Sequence, residues 1–369
     1  MSSCYSDENW CDKTRAMTTA LTDIIKAEIR ANGPMSVSRY MTLCMTHPEY
    51  GYYTQKNPLG TQGDFITAPE ISQLFGEMIG LWFADIWMQM GAPQHVSLIE
   101  CGPGRGTLMV DFLRGTQHVK GFYDALHIKF VEVNEALIQE QKRKIKHPHV
   151  SWINTLEEGF ESDVPTFIIG NEFLDALPFK QFQRTESGWA ERVIGLDDAG
   201  AFSWGLVPVA EPPFFPAGVS SGAVFEHAPL REEIVRQADM QLQASGGASI
   251  FIDYGFISGH GDTFQAVKEH KHVDVLSSCG EADLTSHVDF KALCDVVQLQ
   301  SHLSTQGQFL QHLGIELRAQ QLSQNATSRQ KEELKKALKR LCDKDEMGDL
   351  FKVMALVHAE NVTLNPAGF

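Results

Sequence analysis

Val96-Ser-Leu-Ile-Glu-Cys-Gly-Pro-Gly-Arg-Gly-Thr107 decides how the chain is read. A short apolar run ends in an acid, glycines follow at alternate positions, and Leu108 to Arg114 reads as a helix. The order is strand, tight loop, helix. Gly102, Gly104 and Gly106 have no Cβ and tolerate positive φ, so a ligand can approach the backbone closely. A dinucleotide fingerprint is G-x-G-x-x-G/A. Here its third position is Thr107, which disfavours an oxidoreductase. The order Glu100-x-Gly102-x-Gly104-x-Gly106 instead suits a zwitterionic, cationic ligand without phosphates, namely S-adenosyl-L-methionine.

Outward from this stretch, further apolar runs end in polar groups. Ile128-Lys-Phe-Val-Glu132 places Glu132 at 30 residues beyond Gly102, about one βαβ step. An acid there can accept from both ribose hydroxyls. His149 to Asn154 reads as a third strand and Thr166 to Gly170 as a fourth. The fourth leads into Asn171-Glu-Phe-Leu-Asp-Ala-Leu-Pro178, where an acceptor would be held. Ser245 to Asp253 reads as a fifth strand after a helix from Leu230 to Leu242. Strands alternating with helices predict an α/β, doubly wound sheet with helices on both faces. Ligands then bind at the carboxyl ends of the strands. The expected cofactor residues are Glu100, Gly102, Gly104, Gly106, Glu132, Asn154 and Asn171.

The flanks give the domain plan. Residues 1–92 read as an N-terminal helical extension with a lid loop around Asp64 and Phe65. Within it, residues 1–16 read as a frayed polar segment and a helix is expected from about Thr18, where Leu21, Ile24, Ile25 and Ile29 repeat at helical spacing, and Ser36 to Thr46 reads as a second helix. Thr67-Ala-Pro-Glu70 has the form of a capping box, predicting one long helix to about Met90. Residues 93–178 form the first part of the sheet domain. Residues 179–228 alternate loosely between turn signals and predict a β-hairpin insertion, a substrate cap. Residues 229–369 complete the sheet domain. In that part Asp283-Leu-Thr-Ser-His is expected to start a helix. Asp349 to Val357 is expected to be a last strand, antiparallel at the sheet edge.

The 369-residue chain carries 31 Lys+Arg against 47 Asp+Glu, a net charge of −16. That argues against a general nucleic-acid or anionic-membrane binder and is compatible with a basic protein substrate. The 7 cysteines are scattered without a C-x-x-C pair, so neither a zinc nor a disulfide framework is expected. His270, His272, Asp274, His287 and Asp289 fit no familiar metal spacing, and no metal is expected. No transmembrane helix is expected. The N-terminal residues, with Asp7, Glu8 and Asp12, do not read as a transit peptide, so cytoplasmic residence is the expectation.

Tyr50-Gly-Tyr-Tyr, Gly63-Asp-Phe-Ile-Thr-Ala-Pro-Glu-Ile-Ser72, Glu100-Cys-Gly-Pro-Gly-Arg-Gly-Thr-Leu-Met109, Asn171 to Pro178, Ile252-Asp-Tyr-Gly255, Gly280-Glu-Ala-Asp-Leu-Thr285 and Met347 to Lys352 resemble the MidA-like family. These are class I S-adenosylmethionine-dependent methyltransferases. They include the mitochondrial complex I assembly factor that methylates an arginine of a core hydrophilic subunit. The resemblance spans about residues 20 to 357. It implies a Rossmann-like, seven-stranded sheet, S-adenosyl-L-methionine as cofactor, and a protein partner, a complex I-like hydrophilic subunit. It leaves the mitochondrial matrix as the location of a processed form. Cys101 stands where the family motif is expected to carry Leu. For an arginine acceptor, position assigns Glu172 and Asp175, then Asp64, to holding the guanidinium. The competing readings are a small-molecule methyltransferase and a non-catalytic assembly chaperone. The glycine motif with Glu132 speaks against the latter.

Overall fold

The computed structural model describes residues 7–55, 67–210, 215 and 218–369. Asp64 and Phe65 lie outside the described residues.

The central sheet contains β1 (Val96–Cys101), β2 (Leu126–Val131), β3 (Val150–Ile153), β4 (Thr166–Asn171), β5 (Gly247–Phe256), β6 (Ser301–Thr305) and β7 (Phe351–His358). Their spatial order is β6-β7-β5-β4-β1-β2-β3, and a two-residue strand, Val288–Asp289, pairs with the end of β5. β1 to β5 run parallel, while β7 is antiparallel to both β5 and β6. Neighbouring residues on the middle strands face opposite sides. Leu98, Ile169 and Ile250 enter one core with Phe75, Phe83 and Phe112 of two helices, while Ile99, Ile168 and Phe251 enter another with Val235 and Leu242. Burial of both faces accounts for the continuous apolar runs of these strands.

The helices Gln73–Gln89 and Thr107–Thr116 cross closely. A Cβ on Gly76 would lie 2.8 Å from the Leu108 carbonyl oxygen, and one on Gly80 would lie 2.8 Å from that of Phe112. This crossing seats the helix after the glycine loop against the extension. A second, five-stranded sheet joins Met35–Ser36 of the extension to Lys180–Thr185, Gly188–Leu196, Phe202–Val209 and Val224–His227. Its core holds Ile25, Tyr40, Phe179 and Ile194, and the extension and insertion pack as one layer.

Four expectations are corrected. The N-terminal helix begins at Asp7 and runs to Asn32. The helix expected from Thr67 is broken at Ser72, which is extended (φ −161°, ψ 140°). It becomes Ala68–Ile71 and Gln73–Gln89, and Ser72 Oγ, not Thr67, accepts a capping bond, from Leu74 N–H. Asp283–Thr285 is a strand paired with Gln265–Lys268, and the next helix starts at Phe290 with Asp289 as its cap. The last strand is internal, because β6 covers its outer side. β6 reads Ser-His-Leu-Ser-Thr, too polar to announce a strand by its sequence.

Candidate active site

At the carboxyl ends of β1 and β4 lies a cleft lined by Glu100, Gly102, Gly104, Arg105, Asn171 and Glu172, with Thr67, Glu70 and Thr107 opposite. Its floor is the glycine loop. Gly102, Gly104 and Gly106 adopt φ of 63°, 52° and 75°, a region costly for residues with a Cβ. A Cβ on Gly102 would also meet Phe173 Cδ2 at 2.9 Å. The loop is braced from below: Gln141 Nε2 donates to the Gly104 carbonyl at 2.6 Å and Lys144 Nζ to that of Arg105 at 3.1 Å.

Glu100 is buried, and its Oε2 has no hydrogen-bond partner among the described residues. Burial pushes its carboxyl up to about 8. A buried, unpartnered carboxyl beside a glycine cradle is suited to a cationic neighbour, which would favour its ionised form. The amine and sulfonium of S-adenosyl-L-methionine fit it, and a phosphate does not.

Glu132 stands one residue beyond β2. Its carboxylate accepts from Asn134 N–H at 2.8 Å and Gln141 Nε2 at 3.3 Å, which fixes its orientation. Burial raises its pKa, while these bonds lower it. Gln141, whose Oε1 accepts from Trp152 Nε1, thus joins Glu132 to the glycine loop. Asn154 is exposed, with its N–H held by Glu158; the cleft lining does not include it. Gly106 is the residue preceding the loop helix, behind the lining.

Glu172 has φ of 48°, a left-handed value costing about 1–3 kcal/mol for such a residue. Its backbone N–H donates to the Ile252 carbonyl, and its Oε1 accepts from Ala68 N–H at 2.8 Å and Asn171 Nδ2 at 3.2 Å. The short helix Ala68–Ile71 is therefore capped by the acid that follows β4. Burial first, and Asp175 after it, push the Glu172 carboxyl up to about 7, against the Ala68 bond.

Asp175 is not part of the cleft lining. It is buried with Oδ1 unpartnered among the described residues, close to Tyr254 and Arg231. Tyr53 reaches the same neighbourhood. Its hydroxyl donates to Asp283 Oδ1 at 3.1 Å, and its carbonyl accepts from Asn134. Sequence reasoning missed three groups here. Glu70 accepts from Thr107 Oγ1 and pairs with Arg105, tying the short helix to the glycine loop. Asp253 Oδ2 accepts from Leu174 N–H and Asp175 N–H at 2.9 and 3.1 Å. Arg231 binds the carbonyls of Asp175 and Leu177. Asp253 lay inside a quoted motif, whereas Arg231 sits in an ordinary charged helix segment that gives no signal.

A parallel sheet with reversed β7, a glycine cradle at its switch point and a buried carboxylate facing it define a class I methyltransferase. Residues 78–309 match a family described as S-adenosyl-L-methionine-dependent methyltransferase, and the chain belongs to that family. It is 34% identical to "Protein arginine methyltransferase NDUFAF7, mitochondrial" of Xenopus tropicalis, over 97% of this chain and 90% of that protein. The human protein of the same name is 32% identical, over 89% and 81%. A crystal structure from Burkholderia thailandensis, bound to S-adenosyl-homocysteine, superposes with a TM-score of 0.82 at 25% identity, covering 97% of this chain and 95% of that one. A second from that organism gives 0.83 at 26% identity, covering 100% and 98%. The cofactor is S-adenosyl-L-methionine, as the family and the neighbour bound to S-adenosyl-homocysteine show. No described helix is long and apolar enough to cross a membrane.

Proposed function

We propose that the methyl acceptor is an arginine of a protein, a hydrophilic complex I-like subunit being the partner class. The observation that carries this is the placement of two carboxyl groups just beyond the end of β4. Glu172 lines the cofactor cleft, and Asp175, a buried acid with an unpartnered oxygen, stands behind it. A guanidinium is planar, always charged and best held by carboxylates. The names of the relatives point the same way.

The cofactor supplies an already activated methyl group. Glu100, the glycine loop, Glu132 and Asn171 orient it, while Glu172 and Asp175 receive and aim the acceptor. Asp64 is a third carboxylate for this task. Positioning of two bound reactants lowers such barriers by roughly 7–11 kcal/mol. The acceptor must lose one proton as the new N–C bond forms. Glu172, raised to about 7, is matched to take it near neutral pH. The insertion serves as the substrate cap. The scattered free cysteines suit a reducing compartment: the cytoplasm, with the mitochondrial matrix as the alternative for a processed form, which cell fractionation decides; the relatives are named mitochondrial.

The direct test is incubation with labelled S-adenosyl-L-methionine and a lysate of cells lacking the protein, followed by mapping of the label. Methylated arginine in a protein is expected. Label confined to small molecules would overturn the assignment.

A further inference from the structure

In a chain with a net charge of −16, the helix Ser328–Cys342 is basic. It carries Arg329, Lys331, Lys335, Lys336, Lys339 and Arg340 against Glu332 and Glu333. These charged residues are all exposed, while Leu334, Leu338, Leu341 and Cys342 face the core.

Helix stability does not account for the charges. The first turn holds Arg329 and no acid, although the positive end of the helix dipole disfavours a cation there. Lys331, Lys335 and Lys339 recur every fourth residue, so like charges stack along the helix, an arrangement that weakens it. The dipole favours Lys339 and Arg340 in the last turn; it gives Lys331, Lys335 and Lys336 nothing. Of these basic residues, only Arg329 has an ion-pair partner among the described residues, Glu333 at 2.9 Å.

The placement is that of a docking face. The helix packs against the short helix Ala68–Ile71, whose Pro69 and Glu70 line the cofactor cleft. A groove of ≈ 380 Å³ runs beside it, walled by Ile71 of that short helix and by Leu322, Leu334 and Ala337. Burial dominates the Glu172 carboxyl, but the charge of Arg340 also reaches it and lowers its pKa. The basic face therefore begins within electrostatic reach of the acid assigned to the acceptor.

Such a face selects an anionic partner. The helix has no aromatic residue for stacking on bases and no exposed large apolar residue for entering lipid. The acid-rich remainder of the molecule repels an extended polyanion or an anionic membrane. A short acidic stretch of protein meets the lysines without that repulsion, and the adjoining cleft acts on a protein residue. We propose that the exposed basic face of the helix Ser328–Cys342 docks an acidic segment of the substrate protein, next to the arginine that enters the cleft. The inference rests on the protein-acceptor reading and adds a specificity: an arginine near acidic residues is methylated in preference to one within a basic stretch.

Charge reversal tests this without touching the cleft. Lys335→Glu, Lys336→Glu and Lys339→Glu are combined in one variant, with the corresponding Gln triple beside it. A control with the same change in net charge combines Lys120→Glu, Arg143→Glu and Lys146→Glu, exposed positions in the segments leading into β2 and β3. Exposed positions tolerate such changes, and circular dichroism melts confirm the fold. Each variant is assayed for cofactor binding by calorimetry and for transfer to the protein that the wild type labels, isolated from the lysate of cells lacking the enzyme. The expected result is a KM raised about tenfold or more in the Glu helix variant, with kcat and cofactor affinity unchanged within about twofold. The Gln triple should show a smaller rise, and the control should stay within about twofold of the wild type. Poly-L-glutamate should inhibit the wild type and not the helix variants. Undiminished transfer by a folded Glu helix variant, or an equal loss in the control, overturns the docking face and leaves the arginine assignment standing. So does binding of a DNA oligonucleotide or phosphatidylserine vesicles, or dimerisation seen by sedimentation, that the helix variants lose while KM is unchanged. Absence of protein arginine labelling by the wild type overturns the assignment and the docking face together.

Discussion

The two halves of the reaction centre are built differently. The cofactor half is local: Glu100 to Thr107 supplies the acid, the cradle and the helix start in one uninterrupted stretch. The acceptor half is assembled from distant residues. Asp253 reaches Leu174 across 79 residues of chain, and Tyr53 reaches Asp283 across 230. The lesson is one of tolerance. A local turn is set by backbone geometry that a single Cβ destroys, whereas an assembled loop is set by several hydrogen bonds that can be removed one at a time.

The largest effect is expected at the cradle. Gly104→Val places a branched Cβ at φ 52° and should abolish cofactor binding in calorimetry; unchanged affinity would mean that the cofactor does not use this loop. Gly102→Val should do the same through its clash with Phe173.

Next comes Asp253→Ala. It leaves the buried N–H groups of Leu174 and Asp175 without their acceptor, at about 1–3 kcal/mol each. Turnover should fall steeply and the melting temperature by several degrees, with cofactor affinity least affected. If the cofactor dissociation constant changes more than kcat, the two halves are not separable as drawn.

A third outcome concerns protons. The Glu100 carboxyl, lifted by burial to about 8, is mostly protonated in the free protein at pH 7. A cationic ligand favours the ionised form, so binding releases a proton and affinity rises with pH up to about 8. Calorimetry in buffers of different ionisation enthalpy measures that release, and Glu100→Gln should remove it. Because the folded pKa exceeds the ordinary glutamate value of 4.5, Glu100 contributes stability that is fully present below about 4.5 and lost as pH rises towards 8. Glu172, lifted to about 7, gives the acceptor half a separate activity limb rising through neutral pH, absent in Glu172→Gln.

The smallest expected effect separates the two helix-cap positions, Thr67 and Ser72. Ser72→Ala should cost about 1 kcal/mol in chemical denaturation, because Ser72 caps the long helix, while Thr67→Ala should cost a few tenths. Equal losses would contradict the break at Ser72.

Much of the fold was legible because apolar periodicity and turn residues are local signals. The parallel strands β1, β2 and β4 and the helices between them announced themselves in this way. β6 did not, since a strand of Ser, His and Thr at the sheet edge carries no apolar run. Thr67 to Glu70 matched a capping box in sequence, but Glu70 is drawn to Thr107 and Arg105 and Ala68 N–H to Glu172. Tertiary partners displaced the local bond.

By itself, Glu100 to Gly106 determined a strand-to-helix turn shaped for a cationic nucleoside, because positive φ and a strand-end acid are properties of the stretch. What the tertiary structure decided is which atoms are left unsatisfied there. Glu100 Oε2, Asp175 Oδ1 and Arg231 Nε became unpartnered only through burial and the positions of remote neighbours. Burial makes an unpaired group costly, and only the packing of remote segments can bury one.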